Sequence, residues 1–468
     1  MQNNSQPYNI ILFLTDDHGA WASSPYGNRE LKTPSLDRLA QNGMRFTDVN
    51  TPCPVSSPAR ACILTGQTPS QIGIHDWLYE TMPEIDEHHW LADHTTLPMI
   101  LNESGYHTIL SGKWHLGQSG ETPKGFDQCF GTGANQGAHQ EEHTYVLNNK
   151  PLKISGSKTE IITNHALDFL ESRPSDKPFF LNIGYIGTHS PYHESHHDPK
   201  YVDMYRDAVF SDLPKYHKHP WAKNEGFPYD ESDTEQINAH RRGYYAAVSE
   251  IDHHVGRVID YLEKTNQLEN TIIIYTSDHG CTLGHHGFWG KGNSTRPLNV
   301  YETSIKVPLF IQHPELPKNH VCDRAVDHYD TFNTIMEYAN VEKPKNIDYP
   351  GISYAKTFDQ PREVGRFGEY GDLRFIQTDR YKLILRYNHV PNELFDLKID
   401  PNERINQYDN HEYSRIVARL TDKIEEWYKK YSTLKYDGLN VLNQPKHNDS
   451  ESWRDGMREK NTQNSNIS

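Results

Sequence analysis

The chain has 468 residues, room for one large core or two domains, and a formal net charge of −16, which excludes general nucleic-acid binding. No apolar run is long enough to span a bilayer. The five cysteines (Cys53, Cys62, Cys129, Cys281 and Cys322) are odd in number and show no CxxC spacing, which argues against a disulfide framework or a structural zinc site.

In chain order, Met1-Gln2-Asn3-Asn4-Ser5-Gln6 is polar, uncharged and unlike a secretory leader. The expected location is the cytoplasm, or the periplasm or exterior if a leader was trimmed. Ile10 to Leu14 is a continuous apolar run, the mark of a strand buried on both faces, and it ends in Thr15-Asp16-Asp17-His18-Gly19. Thr33-Pro34 opens a helix that Gly43 closes. Thr108-Ile109-Leu110 predicts a second buried strand, leading into Ser111-Gly112-Lys113-Trp114-His115-Leu116-Gly117. Phe179 to Ile183 predicts a third, followed by Gly187-Thr188-His189-Ser190-Pro191. Tyr244, Ala247, Val248, Ile251, Val255, Val258, Ile259 and Leu262 recur at helical spacing and predict a long helix over 243–264. Thr271 to Tyr275, ending in Ser277-Asp278-His279-Gly280, and Val307 to Ile311 complete the strands of this region.

The alternation predicts an α/β fold, a large mostly parallel mixed sheet sandwiched by helices. The polar clusters follow strand C-terminal ends, the edge at which open α/β sheets bind ligands. After Lys343-Pro344-Lys345-Asn346, which reads as a linker, short strands at Arg374–Gln377 and Lys382–Leu385 and an amphipathic helix over 412–431 predict a smaller C-terminal α+β subdomain with an antiparallel sheet. The expected division is a catalytic domain at 1–345, the subdomain at 346–436, and a polar tail at 437–468, mobile or draped on the surface.

The most informative stretch is Ser56-Ser57-Pro58-Ala59-Arg60-Ala61-Cys62-Ile63-Leu64-Thr65-Gly66. Pro58 suits the first helical position, Ser57 an N-cap and Gly66 a stop. Ser56 then sits at a helix N-terminus, an anion site by virtue of free N–H groups and the dipole, with Arg60 adding charge. Asp16, Asp17, Asp278 and His279 end two different strands. Adjacent acids at a strand end also make solvated turns, but together these four form an oxygen-rich set suited to a hard divalent cation. One nitrogen ligand leaves the metal's identity open.

The pattern Ser-x-Pro-x-Arg followed by Thr-Gly resembles the signature of the type I, formylglycine-dependent sulfatases of the alkaline phosphatase superfamily, and the likeness extends to about residue 430. It implies that Ser56 is oxidised to formylglycine by a maturation enzyme. It also implies a Ca²⁺ site, with Mg²⁺ the lesser candidate, formed by Asp16, Asp17, Ser56, Asp278 and His279. Lys113 and His115 in Gly-Lys-Trp-His-Leu-Gly match a second family motif, whose Lys and His contact the formylglycine. His189 and Lys291 resemble the family's sulfate-binding pair. The implied reaction hydrates the aldehyde, and one hydroxyl attacks sulfur. The alcohol leaves, helped by His189 and Lys291. His115, the candidate base, then takes the proton of the second hydroxyl as sulfate departs. Arg60, Lys113 and Lys291 stabilise the sulfate charge. Since the whole chain is acidic, this pocket must be locally positive.

The implied substrate is a sulfate ester on a sulfated polysaccharide, such as a glycosaminoglycan, or its oligosaccharides, from bacterial carbohydrate degradation. Trp77, Trp289 and Tyr192 flank the motifs and suit a sugar ring as well as they suit loop packing. His75, Asp76, His193 and Arg374 are further candidates for substrate contacts. His193, His196, His197, His285 and His286 show no closed zinc spacing, and His18 reads as structural. Two rival readings stand beside this one: a phosphomonoester or phosphodiester hydrolase of the same superfamily, and a catalytically silent glycan binder in which Ser56 stays unmodified.

Overall fold

The computed structural model describes residues 7–132, 141–223, 230–387 and 391–450. Its centre is a ten-stranded sheet. In chain order the strands are β1 (Asn9–Thr15), β2 (Met44–Phe46), β3 (His107–Lys113), β4 (Gln128–Thr132), β5 (Glu142–Leu147), β6 (Lys150–Ser155), β7 (Phe179–Gly184), β8 (Thr271–Ser277), β9 (Leu309–Gln312) and β10 (His320–Cys322). Their spatial order is β10-β2-β9-β8-β1-β7-β3-β4-β5-β6. The run β8-β1-β7-β3-β4 is parallel, β9 and β5 run antiparallel to it, and β6 pairs antiparallel with β5.

The apolar runs reflect two covered faces. Along β1, Ile10, Leu12 and Leu14 join one core, with Ala61, Ile63 and Leu64 of helix α2 (Ser56–Thr65) and with Phe332 and Ile335. Ile11 and Phe13 join the opposite core, against Leu36 and Leu39 of α1 (Pro34–Asn42), Ile162 and Phe169 of α3 (Lys158–Ser172), and Ile251, Val255 and Val258 of α4 (Thr234–Lys264). A strand alternates sides every residue, so covering both faces demands apolar residues throughout.

Helix α4 begins nine residues before the expected Gly243, capped by Asp233, whose side chain accepts from Gln236 N. Its first residues, Thr234 to Gln236, are exposed and polar, and farther along Arg241 and Arg242 are buried with tertiary partners, Pro214 O and Glu194. Strands β3 and β8 run on to Lys113 and Ser277, so part of each polar cluster belongs to the strand end itself.

A four-stranded antiparallel sheet follows: β11 (Arg366–Tyr370), β12 (Leu373–Gln377), β13 (Tyr381–Arg386) and β14 (Glu393–Asp396). One face packs on Leu420, Ile424 and Tyr428 of helix α6, which spans Ser414–Lys430 and follows α5 at His328–Tyr338. The other face, through Tyr370, Phe375 and Ile384, shares a core with Cys53, Val55, Val300 and Ile305, just ahead of α2. Beyond it, Leu442, Asn443, Pro445 and Lys446 are exposed, whereas His447 and Asn448 are fully buried. Residues 451–468 of the expected tail, like Met1–Gln6, lie outside the described residues. No helix among the described residues is long and apolar enough to cross a membrane.

Candidate active site

Ser56 is the first residue of α2, not a residue ahead of its cap. Val55, in extended conformation, holds the N-cap position without a side-chain cap. Ser57 is therefore not the N-cap; its Oγ accepts instead from Leu78 N at 3.0 Å. Pro58 falls at the third position, still inside the first turn, where its missing N–H removes no helical hydrogen bond. Gly66 ends the helix at φ 68°, and a Cβ there would lie 2.3 Å from the Phe332 ring, so both conformation and space require glycine. All ten residues of α2 are buried, so its N-terminus faces the sheet's ligand-binding edge and not solvent.

The strand ends bring the predicted residues to that N-terminus. Ligand atoms of Asp16, Asp17, Asp278 and His279 all lie within 4.8 Å of one another, and all four residues are buried. Ser56 Oγ donates to Asp16 Oδ1 at 2.8 Å and lies 3.2 Å from His279 Nε2. His279 Nδ1 faces the Gly280 carbonyl at 2.9 Å, which places the hydrogen on Nδ1 and turns the Nε2 lone pair toward the carboxylates. An imidazole lone pair and three carboxylates converging on one point fit a divalent cation.

Three cations close the ring. Lys113 Nζ donates to Asp16 Oδ2 and lies 3.4 Å from Ser56 Oγ. Lys291 Nζ donates to Asp17 Oδ1 at 2.6 Å. Arg60 Nε donates to Asp278 Oδ2 at 2.9 Å, and its Nη1 to the Lys113 carbonyl at 3.2 Å. Formally, the charges of Asp16, Asp17 and Asp278 cancel those of Arg60, Lys113 and Lys291, so a bound divalent cation leaves the pocket positive inside an acidic chain. Burial opposes ionisation of Asp16, but Lys113, His189, Lys291 and Arg60 outweigh it and hold its carboxyl well below the usual range.

His115 is buried in a left-handed conformation, φ 62°. Its Nε2 faces the Leu78 carbonyl at 2.9 Å and so carries the hydrogen, leaving Nδ1 with a lone pair and no hydrogen-bond partner. Burial, then the Lys113 charge, hold the imidazole well below its ordinary pKa, so it is neutral at pH 7. His189 Nδ1 faces the Ser190 carbonyl at 2.9 Å, and burial with the Lys291 charge pushes its pKa down to about 4.

The remaining candidates divide. Trp77 and His193 are half-buried. Trp289 is buried with its Nε1 unpartnered. His75, Asp76 and Arg374 are buried and each holds an internal partner. His75 Nε2 faces Tyr436 O, Asp76 accepts from Tyr370 OH at 2.6 Å, and Arg374 donates to Asp437 at 2.7 Å with its guanidinium 3.9 Å from the Tyr428 ring centroid. His18 bonds Tyr275 OH and the Ala22 carbonyl and stays outside the cluster. Two tyrosines grip the site, one of them, Tyr192, read from sequence as a sugar-ring or loop-packing aromatic. Tyr192 OH donates to Asp17 Oδ2 at 3.0 Å and Tyr244 OH to the Asp17 carbonyl at 2.7 Å. Tyr244 read only as a helix core position.

The chain is similar to known proteins along most of its length. A family model described as "Sulfatase" matches residues 8–341, and one described as "N-sulphoglucosamine sulphohydrolase, C-terminal" matches 284–430. An N-acetylglucosamine-6-O-sulfatase of Bacteroides thetaiotaomicron is 27% identical, covering 90% of this chain and 86% of the relative. An arylsulfatase of Clostridium perfringens is 26% identical, covering 88% and 92%. A protein solved in complex with its substrate D-glucosamine-2-N,6-O-disulfate superposes with a TM-score of 0.77 at 26% identity, covering 91% of this chain and 98% of that one. The pocket at the head of α2 thus sits in a chain that belongs to the sulfatase family, a sulfuric ester hydrolase.

Proposed function

We propose that the protein removes an O-sulfate from a sulfated carbohydrate, a polysaccharide or its oligosaccharides, by way of a formylglycine made from Ser56, with Ca²⁺ held by Asp16, Asp17, Asp278, His279 and the modified residue 56. The observation that carries this reading is the position of Ser56 Oγ, 2.8 Å from Asp16 Oδ1 and 3.2 Å from His279 Nε2, inside the ring of Arg60, Lys113 and Lys291. The carbohydrate class is supported by the relative named for N-acetylglucosamine-6-O-sulfate and the neighbour solved with a disulfated glucosamine.

Formylglycine at position 56 would supply the nucleophile toward sulfur, and a cation held by Asp16, Asp17, Asp278 and His279 would supply Lewis-acid stabilisation. The chain's own groups do the rest. Lys113 and Lys291 hold the sulfate oxygens, and Arg60 fixes Asp278 and the end of β3. His189 serves the leaving oxygen, since an adjacent sulfate raises its depressed pKa and loads it with a proton. Neutral His115 accepts a proton at Nδ1, the nitrogen left free by Leu78. Trp77, His193 and Trp289 are candidates for substrate contact.

The boundaries at 345 and 436 belong to the same proposal, and limited proteolysis near Lys343–Asn346 tests them. A polymeric substrate places the enzyme in the periplasm or outside the cell after loss of a leader, which N-terminal sequencing of the native protein tests.

The deciding experiment is peptide mass spectrometry across residue 56 of protein from its native host. Conversion of serine to formylglycine removes about 2 Da. The expected result is that loss, together with sulfate release from sulfated sugars. An intact serine in active enzyme overturns the formylglycine reading.

A further inference from the structure

We propose that Tyr192, backed by Tyr244, is a positioning residue that fixes Asp17 for the cation and ties it to the loop bearing His189; this rests on the metal reading above. Asp17 adopts φ 57°, a conformation that L residues adopt uncommonly. Two tyrosines from separate elements hold it there. Tyr244, on α4, donates to the Asp17 carbonyl at 2.7 Å, and its oxygen accepts from Gly19 N at 3.3 Å, closing the turn from behind. Tyr192 donates to Oδ2 at 3.0 Å. Since one carboxylate oxygen takes the phenol, the other, Oδ1, is the one turned to the cluster, 3.2 Å from His279 Nε2 and 2.6 Å from Lys291 Nζ. Hydrogen bonds to the outer oxygens of ligating carboxylates set ligand orientation and metal affinity.

The two rings pack edge to face at 5.8 Å, and both residues are buried, so neither is free to turn away. Helix α4 meets the Tyr192 loop backbone to backbone: a Cβ on Gly243 would lie 1.9 Å from the Tyr192 carbonyl. Tyr192 also follows His189 by three residues on one short loop. The Tyr192 side chain therefore ties a cation ligand, Asp17, to the loop that carries His189.

The test is calcium titration calorimetry on the full chain after chelation, for wild type, Tyr192→Phe and Tyr244→Phe. Phenylalanine keeps the ring and removes the hydroxyl. The expected result is a Ca²⁺ affinity lower by about 10–100-fold in Tyr192→Phe, with sulfatase activity restored by raising Ca²⁺ in proportion. A packing role alone lowers the melting temperature and leaves the calcium affinity unmoved. If wild type binds Ca²⁺ and both variants bind it equally well, the proposal is wrong and the metal reading survives. If wild type binds none, the metal reading fails and takes the proposal with it. Should Tyr192→Phe not fold, Tyr244→Phe decides by the same criterion.

Discussion

Arg60 serves the pocket and the fold at once. Its Nε holds Asp278 and its Nη1 holds the carbonyl of Lys113, so one guanidinium joins the ends of β8 and β3. Both members of the Arg60–Asp278 pair are essentially inaccessible, 1% and 0% exposed. Removing one partner of such a pair strands the other charge in the interior. Arg60→Ala is expected to lower stability by about 3–5 kcal/mol, measured by urea unfolding in chelator so that a cation does not mask the loss. Arg60→Lys retains the charge but not the fork that reaches two acceptors, and is expected to lose less. Equal stability of wild type and Arg60→Ala would show that Asp278 finds another partner.

At the scale of elements, the site depends on how closely backbones approach. The loop after β7 brings in His189 and Tyr192, and it can seat on α4 only because residue 243 is glycine. Gly243→Ala is expected to destabilise the protein by about 1–3 kcal/mol through overpacking and to reduce sulfatase activity, since the displaced loop carries both His189 and the Asp17 contact. Thermal unfolding and steady-state kinetics on the same sample check this. Wild-type kinetics in a destabilised variant would mean that the loop's position is not rate-determining. The start of α2 follows the same logic: Val55 caps it because the core shared with Phe375 and Ile384 fixes the chain just upstream.

At the scale of the whole molecule, the C-terminal residues reach back some 370 positions to the pocket. Tyr79 N donates to the His447 carbonyl at 2.9 Å and Asn448 Nδ2 to the Trp77 carbonyl at 2.9 Å. Between those two anchors lies Leu78, whose N–H bonds Ser57 Oγ and whose carbonyl sets the His115 ring. Asn448→Ala leaves the Trp77 carbonyl short of a donor, and a cost of about 1–3 kcal/mol is expected for that segment. Amide hydrogen exchange across residues 75–80 should quicken and kcat should fall. Unchanged exchange there would show that the C-terminal contact is incidental.

Much of the fold and of the site was legible in the chain because both are carried by short, contiguous signals. A strand covered on two faces is rich in apolar residues, which marked β1, β7 and β8 and, through Ile109 and Leu110, β3. The residues that follow such strands emerge at one edge, which predicted that Asp16, Lys113, His115, His189 and Asp278 would meet. What the sequence did not settle turns on partners far apart in the chain. Whether His75, Asp76 and Arg374 face a ligand or a neighbour depends on Tyr436, Tyr370 and Asp437, supplied from about 60 to 360 residues away. The opening turn of α4 gave no apolar periodicity because Thr234 to Gln236 are exposed, and Arg241 and Arg242 hid the burial of the next turn behind charge. Tyr192 and Tyr244 looked like ordinary aromatics, and only packing aims a phenol. By itself, then, the sequence determined the sheet, the start of α2 beside the strand ends and the set of chemical groups. Tertiary structure decided which of those groups turn into the pocket and which hold it in place, because burial and hydrogen bonding are properties of pairs and not of single positions.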